Sequence, residues 1–599
     1  MSPLPLPATI CEAFQATVAA HPDRLALRSS DGGSALTWSQ YGKRVRAIAE
    51  GFASLGVKPG DTVALMLTNR PEFHLCDMAA LHAGATPFSI YNTNPPETIA
   101  YLFGNADNSI VICEEQFLPQ IRAAIDLGAD LDRIICVDAD LPGTISLAAV
   151  ESTSAPGFDF EKSWKSVGGG DLLTVVYTSG TTGPPKGVEL THTNMIANYA
   201  SISAMVGSGP DERVISYLPD AHAANRWLCH YAATITAAEV TTVARVKDVV
   251  GALTDVRPTI FFGVPHTWYK VKTAVEGRLE MSGGPMRRAV TRWAIRTGRH
   301  HAALVGNGLT VPALTSLKFA WADRLVLSKV RAALGLDRVR IAVTSAAPIA
   351  AEAHEFLLAL GLPVCEAWGM SEMAALATFT APSEIRVGTV GRAIVDVEVA
   401  VASDGELLVR GPNVMRGYRK DLEKTAEAID SRGWLRTGDI GSIDDDGYVR
   451  ILDRKKELII NSSGKNMSPT NIEGALRVSS SLIGAVAVIG DRRPFVTALI
   501  VLDDEACVAF AESRGIAESS PEALVINADV VTEVEAAVAR ANATLSQVEK
   551  VRAYTLLATP WMPGGDELTP TLKLKRSPIA TKYADAIEQM YRSSSSVPR

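Results

Sequence analysis

A chain of 599 residues exceeds what one hydrophobic core comfortably organises, so at least two domains are expected, one of them large. Its 47% hydrophobic and 21% charged residues are those of an ordinary soluble globular protein, and a net charge of -8 argues against general nucleic-acid binding and against average attraction to anionic lipid. The seven cysteines, Cys11, Cys76, Cys113, Cys136, Cys229, Cys365 and Cys507, are scattered, odd in number and without a C-x-x-C pair, which argues against a disulfide framework or zinc site and predicts a reduced, cytoplasmic setting.

In chain order, "MSPLPLPATICEAF" lacks the basic-then-apolar pattern of a secretory signal, and no apolar run approaches the ~20 residues of a spanning helix. Residues 10 to 130 alternate amphipathic helical patterns with short apolar strands, as in "RVRAIAEGFASLG" before "DTVALML", which is α/β wiring with parallel strands. "DLLTVV" then reads as a buried strand and leads into "YTSGTTGPPKG", residues 177 to 187. Its glycines let backbone amides converge on one point, the hydroxyls of Thr178, Ser179, Thr181 and Thr182 add donors, and Lys186 adds a positive charge. Donors without acceptors suit a phosphate chain. The mononucleotide pattern G-x-x-x-x-G-K-[ST] does not fit, because Pro185 precedes Lys186 and Gly187 follows it, so an ordinary kinase or GTPase reading fails.

A second α/β stretch is expected from 170 to 385. Within it, residues 285–331 carry nine Lys or Arg against one acid, Asp323, with Arg288, Arg292, Arg296 and Arg299 at helical spacing. A solvated helix face and a surface for lipid headgroups or the phosphates of a bulky cosubstrate are both open readings. Short runs such as "VEVAVA" and "GELLVRG" between 386 and 452 predict a small β subdomain. "ILDRKKELIINSSGKNMSP" runs a strand into a charged turn and a polar loop, which sets the domain boundary at 453–456, before a smaller α+β domain and a tail, "SSSSVPR", predicted to be disordered.

The loop at 177–187 resembles the phosphate-binding loop of the adenylate-forming superfamily, which holds acyl-CoA synthetases, luciferases and peptide-synthetase adenylation domains. The resemblance continues in order through "SYLPDAHAANR" (216–226), "TSAAPIA" (344–350), "EAWGMSE" (366–372), "WLRTGDIG" (434–441), "DRKKELI" (453–459) and "ELTPTLKLKR" (567–576), nearly the whole chain. It implies an α/β fold with a large N-terminal domain (1–452) of two α/β subdomains and a small β subdomain, a hinge (453–456) and a mobile α+β C-terminal domain (457–599). It also implies ATP contacts from Thr178, Ser179, Gly180, Thr181, Thr182, Gly183, Trp368, Gly369 and Ser371, with Trp368 facing adenine and Lys186 on the outer phosphates. Glu372 would hold Mg²⁺, which takes one or two carboxylates plus phosphate oxygens. Asp439 would accept from the ribose hydroxyls, backed by Arg454.

In the family a lysine near the C-terminus places positive charge between the attacking carboxylate and the α-phosphate, three residues before a basic residue. Lys573, three before Arg576, fits that spacing better than Lys575. By the same resemblance Lys456 is the hinge residue, and the loop around Gly464 and Lys465 arrives for the second half-reaction, in which coenzyme A takes the acyl group. "SYLPDAHAANR", "ELTPTLKLKR" and the 285–331 insertion resemble long-chain fatty acyl-CoA synthetases, with an acyl site that includes His222, Trp227, Gly263 and Val264 in "RWLCHY" and "FFGVPHTW".

The chain departs from the pattern at Asp220 and Asn225, where an apolar residue and an acid are usual, at Ser345, Ala346 and Ala347, where glycine is frequent, and at Ser463. A fatty acyl-AMP ligase that loads a carrier protein and a non-catalytic acyl-binding relative are the rival readings. The partners implied are a long-chain fatty acid, ATP and coenzyme A, without nucleic acid; a peripheral contact at the inner face of the membrane through 285–331, and a homodimer, stay open.

Overall fold

The computed structural model describes residues 6–178, 184–281, 285–460, 466–569 and 573–594. The expected α/β alternation is present. The Trp38–Ser54 helix opens on a capping box between Thr37 and Gln40 and leads to the wholly buried Thr62–Met66 strand. That strand sits in a parallel sheet in the order Thr86–Ser89, Thr62–Met66, Ile110–Cys113, Arg133–Cys136, Ile145–Ser146. Its central strands are buried throughout, as strands covered on both faces are.

A second sheet centres on the parallel strands Ile260–Gly263, Ile341–Thr344 and Val364–Trp368, extended antiparallel by Thr378–Phe379 and Arg392–Ala393. The two α/β stretches are not separate along the chain, which corrects the contiguous division drawn above. Leu25–Ser29 leaves the first and pairs in parallel with Glu239–Thr242, beside Arg213–Ser216, which buries Ala26 and Leu27.

Leu172–Thr178 and Lys186–Thr191 form an antiparallel hairpin with Thr178 opposite Lys186. The phosphate-loop sequence therefore joins these two strands, and its residues 179–183 lie outside the described residues. The β subdomain is the antiparallel sheet Glu398–Val401, Glu406–Arg410, Leu435–Ile443, Val449–Arg454. One of its connections, Gly417–Tyr418, pairs instead with the Lys186–Thr191 strand and laces the subdomain to the hairpin.

After the turn at 455–457, the strands Ile483–Ile489, Val496–Leu502 and Val551–Leu557 form one sheet. Along Val496–Leu502 the side chains alternate: Val496, Ala498, Ile500 and Leu502 pack with the Pro469–Ser479 and Ala528–Thr544 helices, Leu499 and Val501 with Arg576–Lys582 and Ala584–Ser594. The last helix takes in the first two serines of the tail expected to be disordered, and residues 595–599 lie outside the described residues. The basic segment folds into the Pro285–Gly306 and Ala313–Ala322 helices, joined where His301 stacks on Phe319 at 4.1 Å. Among the described residues no helix is long and apolar enough to cross a membrane.

Candidate active site

The hairpin, the end of the Val364–Trp368 strand and the β subdomain meet at one cleft. Lys186 opens the second hairpin strand, with Nζ 4.6 Å from the centroid of the Tyr418 ring. The Tyr418 hydroxyl donates to Glu372 Oε1 at 2.9 Å. Burial, and then the Glu372 carboxylate, raise the Tyr418 pKa, so the phenol stays a donor. Tyr418 thus ties the phosphate-loop lysine to the expected Mg²⁺ carboxylate. No sequence motif above singled it out, because only the two-residue pairing of Gly417–Tyr418 brings it here.

Glu372 is buried in the single turn Ser371–Met373. The turn is tight: a Cβ on Gly369 would lie 1.9 Å from the Ala375 carbonyl oxygen, and Ala374 and Ala375 hold φ of 52° and 93°. Left-handed backbone at residues with a Cβ is strain, and such strain concentrates at functional sites. Ala346 in "TSAAPIA" likewise sits at φ 73°, so the turn keeps a conformation suited to the glycine that is frequent there. Among the described residues no group of three His, Cys, Asp or Glu side chains could hold a metal alone. A single buried carboxylate fits Mg²⁺ carried mainly by phosphate oxygens.

Trp368 is buried at the end of its strand, and its indole N–H donates to Asp439 Oδ2 at 2.7 Å. Asp439 lies opposite Arg454 across two antiparallel strands, with Arg454 Nε 3.3 Å from Oδ1. Burial raises the Asp439 pKa, while Arg454 and the Trp368 N–H pull it back. Each carboxylate oxygen has two acceptor sites, so one on each remains for a vicinal diol. Besides any contact its face makes, Trp368 orients this carboxylate by its edge, a role its sequence position did not suggest.

Lys573 comes from the C-terminal domain. Its backbone is held by a small hairpin in which Lys573 N donates to Thr569 Oγ1 at 3.0 Å, Thr569 N to Lys573 O at 2.8 Å and Lys575 N to Glu567 O at 2.7 Å. Lys575 Nζ bonds to the Gly565 carbonyl at 2.8 Å, and Arg576 pairs with Glu473 and Glu457, which anchors the hairpin to its own domain. No described residue hydrogen-bonds or pairs with Lys573 Nζ, and the residue stays accessible to solvent. The protein around it, and then Arg454, lower its pKa, while Asp439, Glu457 and Glu372 raise it. Burial, with Lys573 adding to it, also lowers His222 to about 4, so this histidine is neutral at physiological pH. The unpaired ammonium therefore stands within electrostatic reach of Glu372, Asp439, Arg454 and His222 together.

On the acyl side, His222 caps a short helix, Nδ1 accepting from Ala224 N. The two departures in "SYLPDAHAANR" face each other: Asn225 Nδ2 donates to Asp220 Oδ1 at 2.6 Å, and Ser216 and Asn69 complete the contact. They compensate as a pair. "RWLCHY" is a wide helical turn, Arg226–Ala232, and splits by face. Arg226, His230 and Tyr231 enter a buried network around Asp77, which also reaches His74. Trp227 and Leu228 instead border an apolar cavity of about 50 Å³ with Tyr199, Ile202 and Val214. Gly263 does not line that cavity; the Trp268 indole covers it, donating to its carbonyl at 2.9 Å, while the Val264 carbonyl caps the next helix through Thr267 N.

Lys456 lies in an exposed turn, and Gly464 and Lys465 lie outside the described residues. Just before the turn, Asp453 accepts from Ser468 Oγ at 2.6 Å and from the Thr470 amide and hydroxyl at 3.3 Å, which clasps the start of the Pro469–Ser479 helix.

Residues 14–419 match the AMP-binding enzyme family, and residues 456–595 match the AMP-binding enzyme C-terminal domain. The chain belongs to the AMP-binding enzyme family. Among curated relatives, this AMP-binding enzyme is 45% identical to the putative fatty-acid–CoA ligase fadD11 of Mycobacterium tuberculosis over 455 residues, 76% of this chain and 79% of that one. It is 32% identical to the long-chain-fatty-acid–CoA ligase FadD15 of Mycobacterium bovis over 579 residues, 93% of this chain and 92% of the other. The fold of the anthranilate CoA ligase AuaEII, solved with anthranoyl-AMP, superposes with a TM-score of 0.75 at 17% identity, covering 98% and 99% of the two chains. The adenylate-forming architecture expected from the motifs is thus the one this AMP-binding enzyme has.

Proposed function

We propose that this AMP-binding enzyme activates a long-chain fatty acid with MgATP to an acyl-adenylate and pyrophosphate, then transfers the acyl group to coenzyme A with release of AMP. The fatty-acid–CoA ligase relatives support the reaction class. The observation that carries the reading is the unpaired Lys573, brought from the C-terminal domain to a cleft holding Glu372, Asp439 and Arg454.

In the first half-reaction the fatty carboxylate attacks the α-phosphorus and pyrophosphate leaves. Lys573 offsets the charge shared by the attacking oxygen and the phosphate. Lys186, held over Tyr418, serves the leaving phosphates, and Asp439, oriented by Trp368 and Arg454, fixes the ribose. Glu372 would hold the Mg²⁺ that neutralises phosphate charge. His222 stays neutral and moves no proton.

In the second half-reaction the domain after Lys456 turns, Lys573 withdraws and the loop around Gly464 arrives. The domain division 1–452, 453–456 and 457–599 belongs to the same proposal. The test follows pyrophosphate release and CoA-thiol consumption in parallel across fatty acids from short to very long. Both are expected to rise together over one band of chain lengths, with pyrophosphate release lost in Lys573→Ala. Pyrophosphate release without thiol consumption would assign the acyl group to a carrier protein, and no turnover with any acid would overturn the reading.

A further inference from the structure

The sequence directed attention to the arginine stripe of the Pro285–Gly306 helix, but the structure exposes something else on its partner. The Ala313–Ala322 helix continues through the wide turn Asp323–Leu327 into Ser328–Ala333. Thr315, Phe319, Ala322, Val326 and Val330 lie toward the protein, with Ala322 fully buried. Leu314, Leu317, Trp321 and Leu325, at spacings of three, four and four, point outward and are 63%, 56%, 57% and 46% exposed. Single exposed apolar residues are ordinary; four in register on one helix face are not.

The unpaired charges around that stripe are of one sign among the described residues. Lys318, Arg324 and Lys329 are exposed, and no described residue pairs with any of them. The one acid of the segment, Asp323, is engaged by Arg331 at 2.6 Å. Arg288, Arg292, Arg296 and Arg299 on the neighbouring helix are also exposed and without ion pairs among the described residues. The net charge of -8 does not cancel this patch, because at physiological salt charges beyond about 8–10 Å are screened.

We propose that the Leu314–Leu317–Trp321–Leu325 face is a docking surface for an anionic lipid bilayer, lying in the headgroup region with Lys318, Arg324 and Lys329 on the lipid phosphates. Leucines and a tryptophan along one face, flanked by cations, are the composition of a helix that lies in an interface rather than crosses it. The cations commit the occupant to anionic lipid: a second copy of the chain would set like charges against each other unless its own acidic surface met them. The face stands on its own geometry, and its binding is measured without turnover, so failure of the ligase reading would leave it intact.

The test is co-sedimentation of the full chain with vesicles of phosphatidylcholine alone and of phosphatidylcholine with 30% phosphatidylglycerol, at about 0.1 M and 0.5 M salt. The chain is expected to bind the anionic vesicles at least about tenfold more tightly than the neutral ones, with the preference lost at high salt. L314Q/L317Q/W321Q/L325Q is expected to lose binding about tenfold while pyrophosphate release with a short, soluble fatty acid is unchanged, which shows that it folds. Arg288→Gln with Arg292→Gln is expected to weaken binding less. Absence of binding to anionic vesicles, or equal binding by the quadruple variant, would overturn the proposal. So would a concentration-dependent dimer that this variant abolishes, since the face would then belong to a second copy.

Discussion

The cleft and the 285–331 insertion are both rich in Lys and Arg, and they use them oppositely. Around the cleft most cations have a counterpart on another element: Arg454 faces Asp439, Arg576 holds Glu473 and Lys186 lies over Tyr418. Lys573 has no such partner among the described residues; burial and Arg454 lower its pKa, and Asp439, Glu457 and Glu372 oppose them. In the insertion the exposed arginines have no ion pair among the described residues. A cation is informative where the fold has arranged its surroundings, and sequence density alone does not show that.

The sharpest way to break this comparison is Lys573→Ala against Arg288→Gln/Arg292→Gln/Arg296→Gln. The first is expected to slow pyrophosphate release by about 10²–10³-fold, the scale of losing one electrostatic donor at a transition state, while CoA transfer from supplied acyl-adenylate changes little. The triple variant is expected to leave both rates with a soluble acid unchanged. Equal losses would mean that the insertion belongs to the cleft.

Trp368→Phe keeps the ring and removes the N–H on Asp439. Losing a hydrogen bond to a buried carboxylate predicts a KM for ATP raised about tenfold with kcat little altered. A fall in kcat alone would assign Trp368 to the chemistry instead. Asp453→Ala releases the clasp on Ser468 and Thr470. Because Asp453 precedes the turn and its partners follow it, the clasp belongs to the arrangement that presents Lys573. Its loss is expected to slow adenylate formation about three- to tenfold without slowing CoA transfer, measured on the two half-reactions separately.

The smallest effect concerns Asp220. Burial pushes its pKa up to about 8, with Arg226 and the Asn225 amide opposing. The folded chain therefore keeps a proton that the unfolded chain loses near the ordinary 3.8, so this carboxyl's contribution to stability is fully present below pH 4 and declines as pH rises toward 8. The urea midpoint is expected to fall between pH 5 and pH 8 more in the native chain than in Asp220→Asn, and parallel curves would refute the shift.

The local elements were legible because their signals are local. The Thr62–Met66 strand lies in the run "DTVALML", apolar from Val63 on, and the Trp38–Ser54 helix carries its own cap. The interleaving of Leu25–Ser29 with Glu239–Thr242 was not, since two short strands so far apart along the chain carry no mark of their pairing. Nor did "RWLCHY" announce that neighbouring residues of one wide turn would divide between an ionic network and an apolar cavity.

The sequence by itself determined which chemistry each motif can offer: hydroxyls and a lysine for phosphates, carboxylates for a cation and a diol, a late lysine for developing negative charge. Only the tertiary structure decided that Tyr418 joins Lys186 to Glu372, that Trp368 holds Asp439, that Lys573 rather than Lys575 faces the cleft, and that a leucine and tryptophan face remains outside. Side-chain type and periodicity specify what a residue can bond and which way it faces its own helix or strand. Which remote surface then covers that face depends on packing between elements hundreds of residues apart.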